Sequence, residues 1–398
     1  MRFLQTSDWH LGKIFHEKNL IEDQQFILDQ IIGQIKKAEE EKNPYSALLV
    51  PGDIYDRAVP SQEATELLSS FIAQMNSEHP SVHMFFLSGN HDSSSRLSYG
   101  AKIFEKQNIH FCTNTKNLSE PVILSNDKEK VAVYQIPFLS PLSIESTDDK
   151  PLRQQQELYE AACTKILEGH KKKYSEIPAV VCAHLYSIGT KLAASERSYV
   201  GTAEQVNVSV FNGFTYGALG HIHRFQYCNK NHTIAYSGSP LPYNFDDSPE
   251  TFMLDVNICA ETKIAEAVKI PFKALHPIIK LEGKLAEFLN ERADEIKKYK
   301  DYYIEVTLTD DVIQPGAYTI LQSIMPNLLS LILKGSKAQE NSGSLQQRKE
   351  AMESRDPVKI FNQFLSDIYS DEELEKEVVT LEKELYIKEA KAVEKGAE

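Results

Sequence analysis

Five times between residues 1 and 223, a short apolar run stops in a cluster of Asp, Asn or His. The clusters are Asp8-Trp9-His10, Gly52-Asp53-Ile54-Tyr55-Asp56, Gly89-Asn90-His91-Asp92, His184 at the close of AVVCAH, and Gly220-His221-Ile222-His223. Short apolar runs bounded by turn residues read as buried strands. The candidates are Arg2–Ser7, Ala47–Pro51, Val82–Ser88, Val131–Ile136, Ala179–His184, Tyr216–Gly220 and Thr233–Ser237. Helical patterns lie between several of them, at Ile21–Glu41, Ser61–Ser77, Arg96–Lys106 and Arg153–Lys172. The first repeats apolar residues at Phe26, Ile27, Ile31, Ile35 and Ala38, a stripe of helical period. Alternating strands and helices predict an α/β domain. In open α/β sheets ligands bind at the carboxyl ends of the strands, so the five clusters can converge on one site.

A chain of 398 residues suggests two or three domains at about 150 residues each. With 41% hydrophobic and 25% charged residues it has ordinary globular composition, which excludes fibrous and wholly disordered classes. No apolar run approaches the roughly 20 residues of a membrane-spanning helix. Asp8 and His10 interrupt the N-terminal apolar stretch too early for a secretory signal. The five cysteines form no C-x-x-C pair, so neither a zinc ribbon nor a disulfide framework is expected, and a reduced, cytoplasmic protein is. Against 43 Lys and Arg stand 57 Asp and Glu, a net charge of −14. Such a chain does not grip a phosphate polymer by its own charge; metal ions or a partner must supply the positive potential.

Composition shifts near Pro271. Beyond it Pro277–Glu282 reads as a strand, Gly283–Lys300 as a charged helix and Tyr302–Thr309 as an alternating strand; a helix near Tyr318–Ile324 and an apolar strand Leu328–Leu333 follow. Together they make a small α/β unit. Gly335–Gln347 is nearly devoid of apolar residues and reads as a flexible linker. After Asp356-Pro357 come two helical patterns. One carries the stripe Ile360, Phe361, Phe364, Leu365 and Ile368; the other carries Leu374, Val378, Leu381 and Leu385 at heptad-like spacing.

The clusters offer carboxylate, amide and imidazole donors without thiolate, a set that suits Mn²⁺, Fe or Zn²⁺ over Cu(I), and two ions over one. In extended chain, residues two apart face the same side, which predicts Asp8 and His10 on one ion and His221 and His223 on different ions of a pair. Gly52, Gly89 and Gly220 allow tight turns that aim the next side chain inward. Each cluster alone has a plainer reading. An isolated Asp-x-His arises by chance on surfaces, Gly-Asn-His-Asp also forms a simple Asx turn, and a single His184 reads as a satisfied strand-end histidine. Five of them at strand ends argue for a dinuclear metal site. His16, His79, His83, His110, His170, His232 and His276 have no partner motif and read as structural or surface residues.

This order of motifs resembles the calcineurin-like metallophosphoesterase superfamily: D-x-H, G-D-x-x-D, G-N-H-D, a lone H, and G-H-x-H. Longer stretches are similar to its bacterial DNA nuclease subunits that work beside an SMC-like ATPase. They are TSDWHLGK at 6–13, PGDIYDRAVPS at 51–61, LSGNHDSSSRLSYGAKIF at 87–104, SERSYVG at 195–201, YGALGHIHRFQ at 216–226 and YSGSPLPYNFDD at 236–247. Archaeal and eukaryotic relatives usually carry His at the position of Asp56, which favours the bacterial form.

The resemblance implies a sandwich of β-sheets flanked by helices, with a small α/β capping domain and a helical tail. It assigns residues 1–270 to the nuclease domain, 271–334 to the cap that positions DNA, 335–355 to a linker and 356–398 to the tail that docks on the ATPase. It also implies two divalent ions, Mn²⁺ foremost: one held by Asp8, His10, Asp53 and His223, the other by Asp53, Asn90, His184 and His221, with Asp53 bridging. Asp56 would stand behind these ligands. His91 would touch the scissile phosphate and assist the leaving oxygen as an activated water attacks in line. A homodimer through Ser61–Ser77 and Arg96–Lys106 is implied as well. The expected activity is double-strand exonuclease and single-strand or hairpin endonuclease cleavage of DNA in repair and recombination. The alternatives are a small-molecule phosphodiesterase of the same superfamily, which has no need of the linker and tail, and a metal-free scaffold, which the seven filled ligand positions disfavour.

Overall fold

The computed structural model describes residues 1–141, 143–144, 152–187, 190–193, 195, 205–312 and 315–334. The linker and both tail helices expected beyond Gly335 lie outside these residues. The chain begins with β1 (Arg2–Gln5), α1 (Ile21–Glu40), β2 (Ala47–Val50), α2 (Gln62–Glu78) and β3 (His83–Leu87). Two short helices, α3 (Ser94–Leu97) and α4 (Ala101–Phe104), lead to β4 (Ile109–Cys112). A second set follows: β5 (Val122–Ser125), β6 (Lys130–Ile136), α5 (Gln155–Lys173), β7 (Ala179–His184), β8 (Tyr216–Gly220), β9 (Gln226–Tyr227) and β10 (Ile234–Tyr236). The hairpin β11 (Phe252–Cys259) and β12 (Ile264–Pro271) then returns to the first set.

The result is two six-stranded sheets, ordered β12-β11-β1-β2-β3-β4 and β9-β10-β8-β7-β6-β5. Strands β1 to β4 are mutually parallel, as are β6, β7, β8 and β10; β5, β9, β11 and β12 run antiparallel to their neighbours. The side-chain period of two explains the layering. Phe3, Ala47, Leu49, Phe85 and Leu87 face Val131, Val133, Val180, Cys182 and Ala218 between the sheets. Their neighbours Leu4, Leu48, Val50, Met84 and Phe86 pack under α1 and α2 through Ile27, Leu28, Ile31, Ile35, Leu68 and Phe71. Ala132, Tyr134, Val181 and Ala183 meet α5 on the far face through Leu158, Ala162 and Ile166. This is the mixed α/β sandwich flanked by helices that the motif order implied.

Every strand and helix expected before residue 240 is present at or near its predicted bounds, with one exception. Arg96–Lys106 is not one helix. Gly100, at φ +75°, separates α3 from α4, and a 3-10 turn at Glu105–Gln107 finishes the segment. Strands β4, β5, β9, β11 and β12 are not among those the sequence predicts; short runs broken by polar residues, such as Ile109–Cys112, do not announce themselves.

Farther on, β13 (Ile278–Gly283), β14 (Tyr303–Leu308) and β15 (Leu328–Leu333) form a three-stranded sheet in that order. The charged helix expected at Gly283–Lys300 is instead two helices, α6 (Leu285–Leu289) and α7 (Ala293–Lys298), while Gly283 closes β13. Asn290 ends α6 by turning its amide onto the Ala286 carbonyl at 2.9 Å, and Arg292 donates to the Glu282 carbonyl at 2.8 Å. Side-chain bonding of this kind competes with helix continuation. The helix α8 is Ala317–Ile324. Internal contacts divide the chain into two units; the larger holds Met1–Leu281, Asp294–Glu305 and Gln322–Ser330 and contains the candidate metal centre. Among the described residues, no helix is long and apolar enough to cross a membrane.

Candidate metal centre

All five clusters lie at carboxyl ends of parallel strands, as the sequence predicted: after β1, β2, β3 and β8, and at the last residue of β7. The loops are not extended, however. Asp8, His10, Asp53 and His221 have φ of +54°, +44°, +48° and +103°. Left-handed turns, not two-residue extended spacing, bring Asp8 beside His10. Such conformations cost on the order of 1–3 kcal/mol each and persist where packing enforces them. Trp9 supplies part of that packing. It is fully buried, edge-on to Phe71 and Phe86, with its indole N–H on Thr6 Oγ1 at 3.2 Å.

The glycines divide by role. Gly52, at φ +99°, makes a turn as expected. Gly89 and Gly220 do not; a Cβ at Gly89 would strike the Asp53 carboxylate, and one at Gly220 the Pro51 carbonyl. They make room rather than turns.

The seven candidate ligands and His91 converge. Donor atoms of Asp8, His10 and His223 lie within 4.8 Å of one another, and so do those of Asp53, His184 and His221. Asp53 Oδ2 sits 3.6 Å from His10 Nε2 and 3.4 Å from His184 Nε2, one histidine of each group. Asn90 Oδ1 is 3.0 Å from both His184 Nε2 and His221 Nδ1. A third group, His10, Asp56 and His91, overlaps the first. Asp56 lies behind His10, its Oδ1 3.5 Å from His10 Nδ1 and 2.7 Å from Lys13 Nζ. His91 rests Nδ1 on the Asp56 carbonyl at 3.0 Å, and its main-chain N–H donates to Asp53 Oδ1 at 3.0 Å.

Charge follows the geometry. Burial pushes the Asp53 carboxyl up, but His184, His10 and His91 outweigh it and hold the group well below its usual range. Burial lowers His184, yet the Asp53 and Asp8 carboxylates raise it to about 9. Burial, helped by the positive charge of His184, lowers His221 to about 3; burial and His10 hold His223 well below its ordinary value. Asp8 rises to about 6, chiefly through burial.

These residues fit divalent cations. His10 Nε2 and His223 Nε2 point at each other across 3.0 Å, and Asp53 Oδ2 lies 3.6 Å from the first of them. Imidazole nitrogens aimed at one another and at buried carboxylates are a donor set arranged around positive charge, and nitrogen with oxygen suits borderline to hard divalent ions.

Three supports were not anticipated as such. Asp92 accepts main-chain N–H bonds from Gly89, Ile54 and Tyr55, tying two clusters together. Tyr243 is buried edge-on to both His10 and His223, and its hydroxyl donates to the Trp9 carbonyl at 2.5 Å. Ser195 and Asp247 contact one another, and the Ser195 hydroxyl contacts His223. All lie inside stretches that carry the family resemblance, but no spacing rule marks them.

The chain belongs to the calcineurin-like phosphoesterase family, which it matches over residues 1–225. Residues 274–369 match a second family, described as the Type 5 capsule protein repressor C-terminal domain. Across most of its length the chain is similar to a particular protein, the D subunit of the nuclease SbcCD. The Staphylococcus epidermidis protein of that name is 31% identical over 334 residues, 83% of this chain and 85% of the relative. That of Staphylococcus saprophyticus is 30% identical over 83% of this chain and 84% of the relative. Among solved structures, a putative 5'-nucleotidase from Staphylococcus aureus is similar at 14% identity and a TM-score of 0.38, covering 67% of this chain and 52% of that one.

Proposed function

We propose that the chain is the nuclease subunit of an SbcCD-type complex, a metal-dependent phosphodiesterase that cuts DNA ends and hairpins alongside an SbcC-type SMC-like ATPase. The position of Asp53 carries the reading, with one carboxylate oxygen between a histidine of each donor group. Asp8, His10, Asp53 and His223 would hold one ion, and Asp53, Asn90, His184 and His221 the other. Mn²⁺ fits this donor set. When bound, a cation pair supplies Lewis acidity toward the phosphodiester and acidifies water at neutral pH.

The protein's own groups do the rest. Asp53, kept ionised by the histidines around it, brings negative charge between the two donor groups. Lys13 neutralises Asp56, which backs His10 and fixes its ring. His91 keeps its Nδ1 proton on the Asp56 carbonyl, so Nε2 is the nitrogen offered to substrate. In its protonated form it hands a proton to the leaving 3′ oxygen.

Beyond the site, residues 271–334 would position DNA and the tail would dock on the ATPase. A homodimer would use the face of α2, α3 and α4, where Tyr99 and Ile103 are exposed beside a cleft of about 670 Å³ lined by Leu68, Ile72, Phe104 and Phe111.

Blunt and hairpin DNA incubated with the chain and Mn²⁺, with and without the ATPase and ATP, tests this. Both substrates should be cut, EDTA should stop cutting, and the ATPase with ATP should stimulate it. A chain ending near Gly335 should keep both ions and hydrolyse a small phosphodiester reporter, yet fail to co-purify with the ATPase. Reporter hydrolysis by the full chain with DNA left intact would select the small-molecule phosphodiesterase reading instead.

A further inference from the structure

His184 and His91 rest Nδ1 on the main-chain carbonyls of Pro51 and Asp56, at 2.8 and 3.0 Å. A carbonyl only accepts, so it fixes the proton on Nδ1 by itself. His223 is held differently. Its Nδ1 lies 3.0 Å from the hydroxyl of Ser195. A hydroxyl can donate or accept, and therefore leaves the imidazole tautomer open unless something else orients it.

Asp247 is that something. Its Oδ2 accepts the Ser195 hydroxyl proton at 3.0 Å and the Tyr243 main-chain N–H at 3.0 Å, while Oδ1 accepts the Ser195 main-chain N–H at 3.3 Å. With three donors directed at its two oxygens, this carboxylate acts as an acceptor throughout. The Ser195 hydroxyl must donate to it, which leaves only an Oγ lone pair for His223. His223 then carries its proton on Nδ1, which makes Nε2, the nitrogen that faces His10 Nε2, its acceptor.

We propose that Asp247 and Ser195 form a positioning relay that sets the tautomer and ring direction of His223 for metal binding. The relay rests on the metal-centre reading above and adds two residues to it. It also gives a role to one residue in each of two stretches of unassigned similarity, Ser195 at the start of SERSYVG and Asp247 at the end of YSGSPLPYNFDD. Partners that orient a ligating histidine typically contribute about 10–100-fold to metal affinity. The effect should fall on the one ion that His223 binds.

The test is Mn²⁺ titrated into metal-free full-length protein, with free Mn²⁺ followed by its paramagnetic resonance signal. Wild type should bind two ions per chain. Ser195→Ala should weaken one of them about 10–100-fold and spare the other, with the melting temperature of the metal-free protein unchanged. Ser195→Thr, which keeps the hydroxyl, should restore binding. Combining Ser195→Ala with Asp247→Asn should weaken that ion no further than Ser195→Ala alone, because the two act in series. Wild-type affinity in Ser195→Ala overturns the relay. So does equal weakening of both ions with a lower metal-free melting temperature, which would mark a purely structural serine. His223→Ala separates the two readings: if it keeps both ions, the metal-centre assignment is wrong, whereas loss of one ion there with no effect in Ser195→Ala condemns the relay alone.

Discussion

Strand β3 carries a histidine near each end, and the two ends behave oppositely. At its start, His83 lies flat against His110 of β4, with ring planes 4° apart and a single nitrogen–nitrogen contact of 3.0 Å. Past its end, His91 meets His10 edge-on at 83°, and the neighbouring pairs His10–His223 and His184–His221 cross at 71° and 84°. Stacked rings satisfy each other through one shared proton. Crossed rings turn several nitrogens toward a common centre.

The electrostatics diverge in the same way. His110, with only burial and the charge of His83 acting on it, falls to about 4. His184 is more deeply buried, yet Asp53 and Asp8 lift it to about 9. Histidine pairs are therefore not what distinguishes the site. Buried carboxylates among them are, and the carboxylates come from the left-handed turns that follow β1 and β2.

Removing the carboxylate that lies between the two donor groups should break the comparison most severely. Asp53→Ala takes from His10 and His184 the negative charge that both approach. It should lose both ions by elemental analysis, keep its circular dichroism, and lose more activity than the roughly 10²–10⁴-fold that a lone acid–base group contributes. Two ions per chain in this variant would show that Asp53 does not bridge.

His91→Ala sharpens the contrast within the carboxyl end. His91 shares the crossed geometry but rests on the Asp56 carbonyl rather than on a ligand's nitrogen. Cleavage should fall about 10²–10⁴-fold while metal content and DNA binding stay near wild type. Loss of an ion would move His91 among the ligands, with His10 and Asp56 as its neighbours.

The convergence of the candidate donors was legible because they sit where apolar runs stop, and an apolar run of β2 or β7 type, buried along its whole length, is hard to mistake. What holds the donors was not legible. The turns at Asp8 and Asp53 are left-handed because Trp9, Tyr243 and Asp92 hold them from other parts of the fold, and no local pattern encodes that. Gly89 and Gly220 looked like turn residues because the thing they admit, a carboxylate or a carbonyl from another loop, is remote in sequence. Helix breaks at Gly100 and Asn290 were missed for a milder reason: helical periodicity runs through a residue whose backbone or side chain then ends the helix.

The smallest effect should come from the amino end of β3. The His110 value of about 4 lies below the 6.5 of an exposed histidine because burial, with His83 against it, disfavours the charged ring. Between these pH values the unfolded chain holds a proton that the folded one excludes. Stability is therefore complete above about 6.5 and drains away as pH falls toward about 4, by on the order of 1–3 kcal/mol for such a shift. His110→Phe keeps a ring against Phe85, which now stacks on His110 at 4.7 Å, and removes the titrating group. The fit is to be judged on the pH slope, since the substitution also strips His83 of its nitrogen partner and shifts stability at every pH. Urea unfolding of metal-free protein at pH 7.5 and pH 5 should show a smaller acid loss in the variant than in wild type, by about 1–2 kcal/mol. Parallel slopes would mean that His110 is protonated in the folded protein at pH 5, and that the two ends of β3 differ less than their rings suggest.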